Sequence, residues 1–86
     1  MYRIELVKAA LKQFNKFPRD IRAILEKKID SLSRDPRPQG CEKLSGVPDL
    51  YRVRQGDHRI VYQIQDRLLL VLIVKVGHRR EVYRRL

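Results

Sequence analysis

Arginine dominates the second half of this 86-residue chain, at spacings that suit anion chemistry. Arg52 and Arg54 stand two apart in LYRVRQ, and Arg59 follows a short QGDH turn. If Arg54 pairs with Arg59 across that turn, Tyr51 faces Tyr62 and Val53 faces Ile60. The three arginines then share the opposite face of the hairpin. Residues two apart on a strand lie about 6.6 Å apart and cross-strand neighbours about 5 Å apart, so three guanidiniums crowd one patch. Like charges set opposite one another destabilise a sheet. A planar guanidinium also matches phosphate better than an ammonium does. The patch reads as an anion site; the competing reading is a solvated basic edge that discourages aggregation.

The tail GHRREVYRRL adds Arg79, Arg80, Arg84 and Arg85 around Tyr83. An aromatic ring among arginines is a stacking platform for a nucleic-acid base, roughly 1–3 kcal/mol per base, although a tyrosine there also serves packing. Acid–base chemistry near neutral pH falls to His58 and His78. His58 lies in the turn and reads as a surface residue. His78 follows Gly77 at the end of an aliphatic strand beside the basic tail, and is the better acid/base candidate. Cys41, the single cysteine, sits in a Pro/Gly-rich loop and reads as filler. It rules out structural disulfides and a cysteine-based zinc site. Two histidines without a carboxylate pair make a poor metal site. No Gly-rich phosphate loop, nucleophile elbow or paired carboxylate is present.

The elements that must position these groups show in the hydrophobic period. Met1 to Leu6 alternates, with Tyr2, Ile4 and Leu6 on one side, and predicts a short strand. From Val7 the period turns helical through Ala10, Leu11, Phe14 and Phe17, with Lys8, Lys12 and Lys16 opposite. Pro18 suits the first turn of a second helix, whose apolar stripe runs Ile21, Ile24, Leu25, Ile29, Leu32. Asp35-Pro36 ends it. Residues 35–49 hold three of the four prolines and two of the four glycines and read as a connecting loop. Leu50–Arg54 and Arg59–Gln65 alternate as strands. Asp66-Arg67 makes a tight turn, and Leu68 to Val76 is aliphatic enough for a central strand. The order β-α-α-β-β-β predicts an α+β fold: an antiparallel helical hairpin on one face of a small antiparallel sheet, in a single domain over residues 1–86.

Charge narrows the partners. Twenty Lys+Arg against ten Asp+Glu give a formal +10, which draws the chain to nucleic acid, an anionic membrane or an acidic protein. Residues 50–86 carry +6 of that surplus. The N-terminal stretch lacks the pattern of a signal peptide. Leu68–Val74, the longest apolar run, is far short of the roughly 20 residues needed to span a bilayer. The expectation is a small, soluble, cytoplasmic cation with a marginal core that a partner stabilises.

The segments KLSGVPDLYRVRQGDHRIVYQI and VKVGHRREVYRRL resemble the RelE-type toxins of bacterial and archaeal toxin–antitoxin pairs, and the likeness extends over essentially the whole chain. Its most specific parts are L-x-G…YRVR, the RIVY strand and the G-x-R…E-V-Y tail. The resemblance implies a ribosome-dependent endoribonuclease that cuts mRNA in the A site without metal or other cofactor. In it the 2′-hydroxyl attacks the adjacent phosphate. Carried over by motif, Arg59 clamps the phosphate, Arg79 stabilises the transition state and Tyr83 stacks on or orients the nucleotide. Arg52, Arg54, Arg80, Arg84 and Arg85 would bind RNA. Arg52 and Arg54 stand where some relatives carry lysines, one of them a proposed base. Arginine keeps its proton at physiological pH, so Arg54 acts electrostatically, and the base is His78 or absent. The implied partners are the ribosome with its mRNA and a cognate acidic antitoxin. Two alternatives stay open: a ParE-like inhibitor of DNA gyrase, and a non-catalytic nucleic-acid-binding module.

Overall fold

The computed structural model describes residues 1–78, with two helices over a five-stranded sheet. Strand β1 (Arg3–Leu6) leads into helix α1 (Lys8–Asn15) and helix α2 (Arg19–Ser31). Strands β2 (Glu42–Lys43), β3 (Leu50–Gln55), β4 (His58–Gln65) and β5 (Leu70–His78) follow. The core gathers Ala10, Leu25, Ile29 and Leu32 of the helical layer against Tyr51, Val53, Ile60, Tyr62, Ile64, Val71, Ile73 and Val76 of one sheet face. Among the described residues no helix is long and apolar enough to cross a membrane.

The α+β class is as the sequence predicts, but the sheet is mixed rather than wholly antiparallel. Its order is β1-β5-β4-β3-β2, and β1 runs parallel to β5, from Arg3↔Leu70 to Leu6↔Ile73. The cause lies in the helical layer. The chain passes from β1 to α1 through Val7 alone, and α1 must lie over β5 to bury Ala10. That arrangement sets β1 alongside β5 in the same direction. The expected loop over 35–49 also contains the short strand β2, pairing Glu42↔Arg52 and Lys43↔Tyr51. The last strand starts and ends two residues later than its aliphatic run implies. Asp66–Leu68 form a 3₁₀ turn, closed by Leu69 in the left-handed region at φ 49° and ψ 49°.

A β-bulge decides which face the end of β5 presents. Tyr62 pairs with Ile73, but Val61 pairs with Lys75, so Val74 is passed over. Side chains on a strand alternate, so an unbroken register would turn Lys75 inward and Val76 outward. The bulge keeps Val76 in the core. Gln13 of α1 stabilises the irregularity, its Oε1 accepting the Val76 amide at 2.9 Å.

At the far end of the sheet, Arg37 grips Asp66 through two N–H donors at 2.9 and 3.3 Å, and the Tyr2 hydroxyl donates to the same carboxylate at 2.6 Å. The Arg37 bond first, then the Tyr2 bond, holds the Asp66 carboxyl below its ordinary range. A carboxylate lowered in the folded state stabilises the fold above its unfolded pKa of about 3.9, and the contribution fades as pH falls through the folded value. Because the group is solvent-exposed, the effect is modest. Asp66→Asn is expected to melt a little below the parent at pH 7, the gap closing between about pH 5 and pH 2 in a thermal-melt series. A gap that does not change with pH would remove the Asp66 charge from this account.

Candidate active site

The β3–β4 hairpin is the frame of the site. It turns through Gly56 and Asp57, with positive φ at Gly56 (60°) alone of the two, the pattern of a II′ hairpin. A side chain at Gly56 would strain that turn. Arg54 pairs with Arg59, Val53 with Ile60 and Tyr51 with Tyr62, the register that the alternation implies. Tyr51, Val53, Ile60 and Tyr62 enter the core under the helices. Arg52, Arg54 and Arg59 meet around a cavity of about 390 Å³, joined by Lys28 of α2, Glu42 of β2 and the Gln39–Gly40 loop.

The three arginines are held differently. Arg59 is buried, 6% exposed, and its Nη1 donates to the carbonyls of His58 at 3.2 Å and Gly56 at 3.5 Å. Anchored to the turn, this guanidinium is fixed before any ligand arrives. Arg52 is bridged to Glu42, its cross-strand partner, at 2.6 Å. This is a short, charge-assisted bond. Arg54 is exposed and makes no hydrogen bond or ion pair among the described residues. Among the described residues, four cationic side chains and one carboxylate line the cavity, a formal surplus of three positive charges. Such a site favours an anion with several phosphate oxygens.

His78 does not join this group. It pairs with His58 at the end of β5, and their rings meet edge to face at 5.9 Å. His58 in turn packs on Phe17 at 5.1 Å, on the helix side of the sheet. The bulge at Val74 reverses the parity of the last residues of β5, which sets His78 across the sheet from Arg59. His58 is likewise half-buried at the start of β4, not a surface turn residue. Arg79, Arg80, Tyr83, Arg84 and Arg85 lie outside the described residues. Periodicity alone missed Lys28 and Glu42. The signal for Glu42 was its acid charge within the Pro/Gly-rich loop, four residues after Pro38; for Lys28 it was its place seven residues after Ile21 on one flank of α2. Cys41 is half-buried beside the Tyr62 hydroxyl, and burial raises the phenol's pKa above its ordinary value.

A family model described as the ParE toxin of type II toxin–antitoxin systems, parDE, matches residues 4–83. The chain is 35% identical to the mRNA interferase toxin RelE of Escherichia coli, over 95% of this chain and 90% of the relative. It is 31% identical to the toxin RelG of Mycobacterium tuberculosis, covering 98% of each. The fold superposes on the toxin of the intact E. coli RelBE toxin–antitoxin complex with a TM-score of 0.80 at 31% identity, over 91% of this chain and 96% of that one. Sequence and fold thus agree over nearly the whole chain. The chain belongs to the RelE-type toxins of the type II toxin–antitoxin systems.

Proposed function

We propose that this protein is the toxin of a type II toxin–antitoxin pair, an mRNA interferase that cuts message in the ribosomal A site. The observation that carries the reading is the convergence of Arg52, Arg54 and Arg59 on one cavity whose described lining has a surplus of positive charge. Kinship to a toxin named as an mRNA interferase supports it. In the proposed reaction the 2′-oxygen attacks the adjacent phosphorus. The O2′–P bond forms and the P–O5′ bond breaks. One proton leaves the 2′-hydroxyl and one reaches the departing 5′-oxygen, giving a 2′,3′-cyclic phosphate and a 5′-hydroxyl.

Arg59 meets the charge that develops on the phosphorane, from a position fixed by the turn carbonyls. Arg52 and Arg54 bind the flanking backbone. Arg79 and Tyr83 are assigned by resemblance to transition-state stabilisation and base stacking, and Arg80, Arg84 and Arg85 to RNA contact. With Arg54 permanently charged and His78 across the sheet, catalysis rests on electrostatics and on the positioning that the ribosome supplies. General base catalysis contributes typically 10²–10⁴-fold, so its loss leaves a useful enzyme. The reading makes the protein a single cytoplasmic domain held in check by an acidic antitoxin that covers the basic surface.

Programmed ribosomes incubated with the protein are expected to yield A-site fragments with cyclic phosphate ends, and free RNA of the same sequence far fewer. Arg79→Ala and Tyr83→Ala should each abolish growth inhibition while antitoxin capture persists. Full toxicity of both variants would remove the tail from the site. Gyrase poisoning is the second reading, favoured by the description of the matching family model. Inhibited supercoiling without any cleaved message would establish it instead.

A further inference from the structure

Lys28 is the one charged side chain that the helical layer contributes to the arginine cavity. It is half-buried, and among the described residues it forms no ion pair. The single carboxylate that lines the cavity among the described residues, Glu42, is already bonded to Arg52 at 2.6 Å. A half-buried ammonium that lines one cavity with three guanidiniums suits an anionic ligand. The cavity is also too large for one phosphate group. At about 390 Å³ it falls in the range of small-molecule sites, room for a nucleotide step.

We propose that Lys28 is a substrate-binding residue, which holds the backbone phosphate next to the one clamped by Arg59, so that the cavity takes two consecutive phosphates of one RNA strand. The inference deepens the nuclease reading and rests on it. Arg59 closes the cavity from the sheet, anchored and buried. Lys28 closes it from α2, on a flexible stem suited to a second, less fixed phosphate. Arg52, turned toward Glu42, is freed for the strand only as that ion pair opens. The binding energy of Lys28 is therefore spent on position rather than on the transition state.

The test uses the full chain and two non-cleavable probes measured by titration calorimetry. A nucleoside 3′-monophosphate fills one phosphate position, and a nucleoside 3′,5′-bisphosphate fills both. Lys28→Gln is expected to weaken the bisphosphate on the order of tenfold and to leave the monophosphate unchanged. Lys28→Arg should restore most of the loss. Lys12→Gln, on the exposed face of α1, removes the same charge at a distance and should change neither probe. In the ribosome assay Lys28→Gln should raise KM and spare kcat. Equal binding of both probes by Lys28→Gln and the parent would overturn the proposal, as would equal losses for both probes. The nuclease reading fails separately, if Arg59→Ala binds both probes like the parent. Thermal melts of each variant show that the comparison is made on folded protein.

Discussion

Arg59→Ala is expected to lower the cleavage rate on programmed ribosomes by about 10²–10³-fold, the range found when one preorganised donor is removed from a developing anion. The size follows from how the side chain is held. A solvent-exposed arginine must give up water and rotamer freedom to meet a phosphate. Arg59 has already done both, being 6% exposed and tied by Nη1 to the carbonyls of His58 and Gly56. Its stabilisation of the phosphorane needs no reorganisation during the reaction. Arg59→Lys keeps the charge but not the planar fork, and should recover only part of the rate. Arg54→Ala, at an exposed position of the same cavity, is expected to cost less, on the order of tenfold. The measurement is the yield of A-site fragments with cyclic ends under single-turnover conditions, alongside a thermal melt of each variant. Folded Arg59→Ala that cuts at the parent rate would show that the cavity is not the site.

The hairpin that carries Arg52, Arg54 and Arg59 was legible from the chain because everything that specifies it is local. The alternation of Tyr51 and Val53 with arginines, the Gly56–Asp57 turn and the matching run from Ile60 to Tyr62 admit one register that buries the apolar set. The parallel pairing of β1 with β5 was not legible, because its specification is distant. Arg3 meets Leu70 only once the helices have chosen their face. The bulge at Val74 was hidden for a different reason. In LLLVLIVKV almost every residue is apolar, so a skipped position leaves no gap in the pattern. That hidden residue changed the site, since it carries His78 across the sheet from the arginines. Lys28 was hidden too, because a lysine on an amphipathic helix reads as solvated until the element beside it is known.

Tyr62→Ala is expected to destabilise the protein by about 3–5 kcal/mol, the usual cost of truncating a large buried aromatic. Tyr62 is fully buried, its ring stacks on Tyr51 at 6.0 Å between centroids, and its hydroxyl donates to the Pro36 carbonyl at 2.7 Å. For a domain of this size each kcal/mol moves the melting point by roughly 4–8 °C, so the fall should exceed about 12 °C. Against a typical total of 5–15 kcal/mol, such a loss brings the free toxin to the edge of unfolding, and a bound partner would rescue it by mass action. Tyr62→Phe separates the ring from the hydroxyl. It keeps the stack and should cost only about 0.5–1.5 kcal/mol. The hydroxyl, however, ties down the loop that continues from Pro36 to Gln39 and Gly40 at the cavity wall. Tyr62→Phe is therefore expected to lose more cleavage activity than its small melting shift implies, while Tyr62→Ala loses the fold itself. Melting within a few degrees of the parent for Tyr62→Ala would show that the core is organised around some other residue, and that the loop reaches the cavity without this anchor.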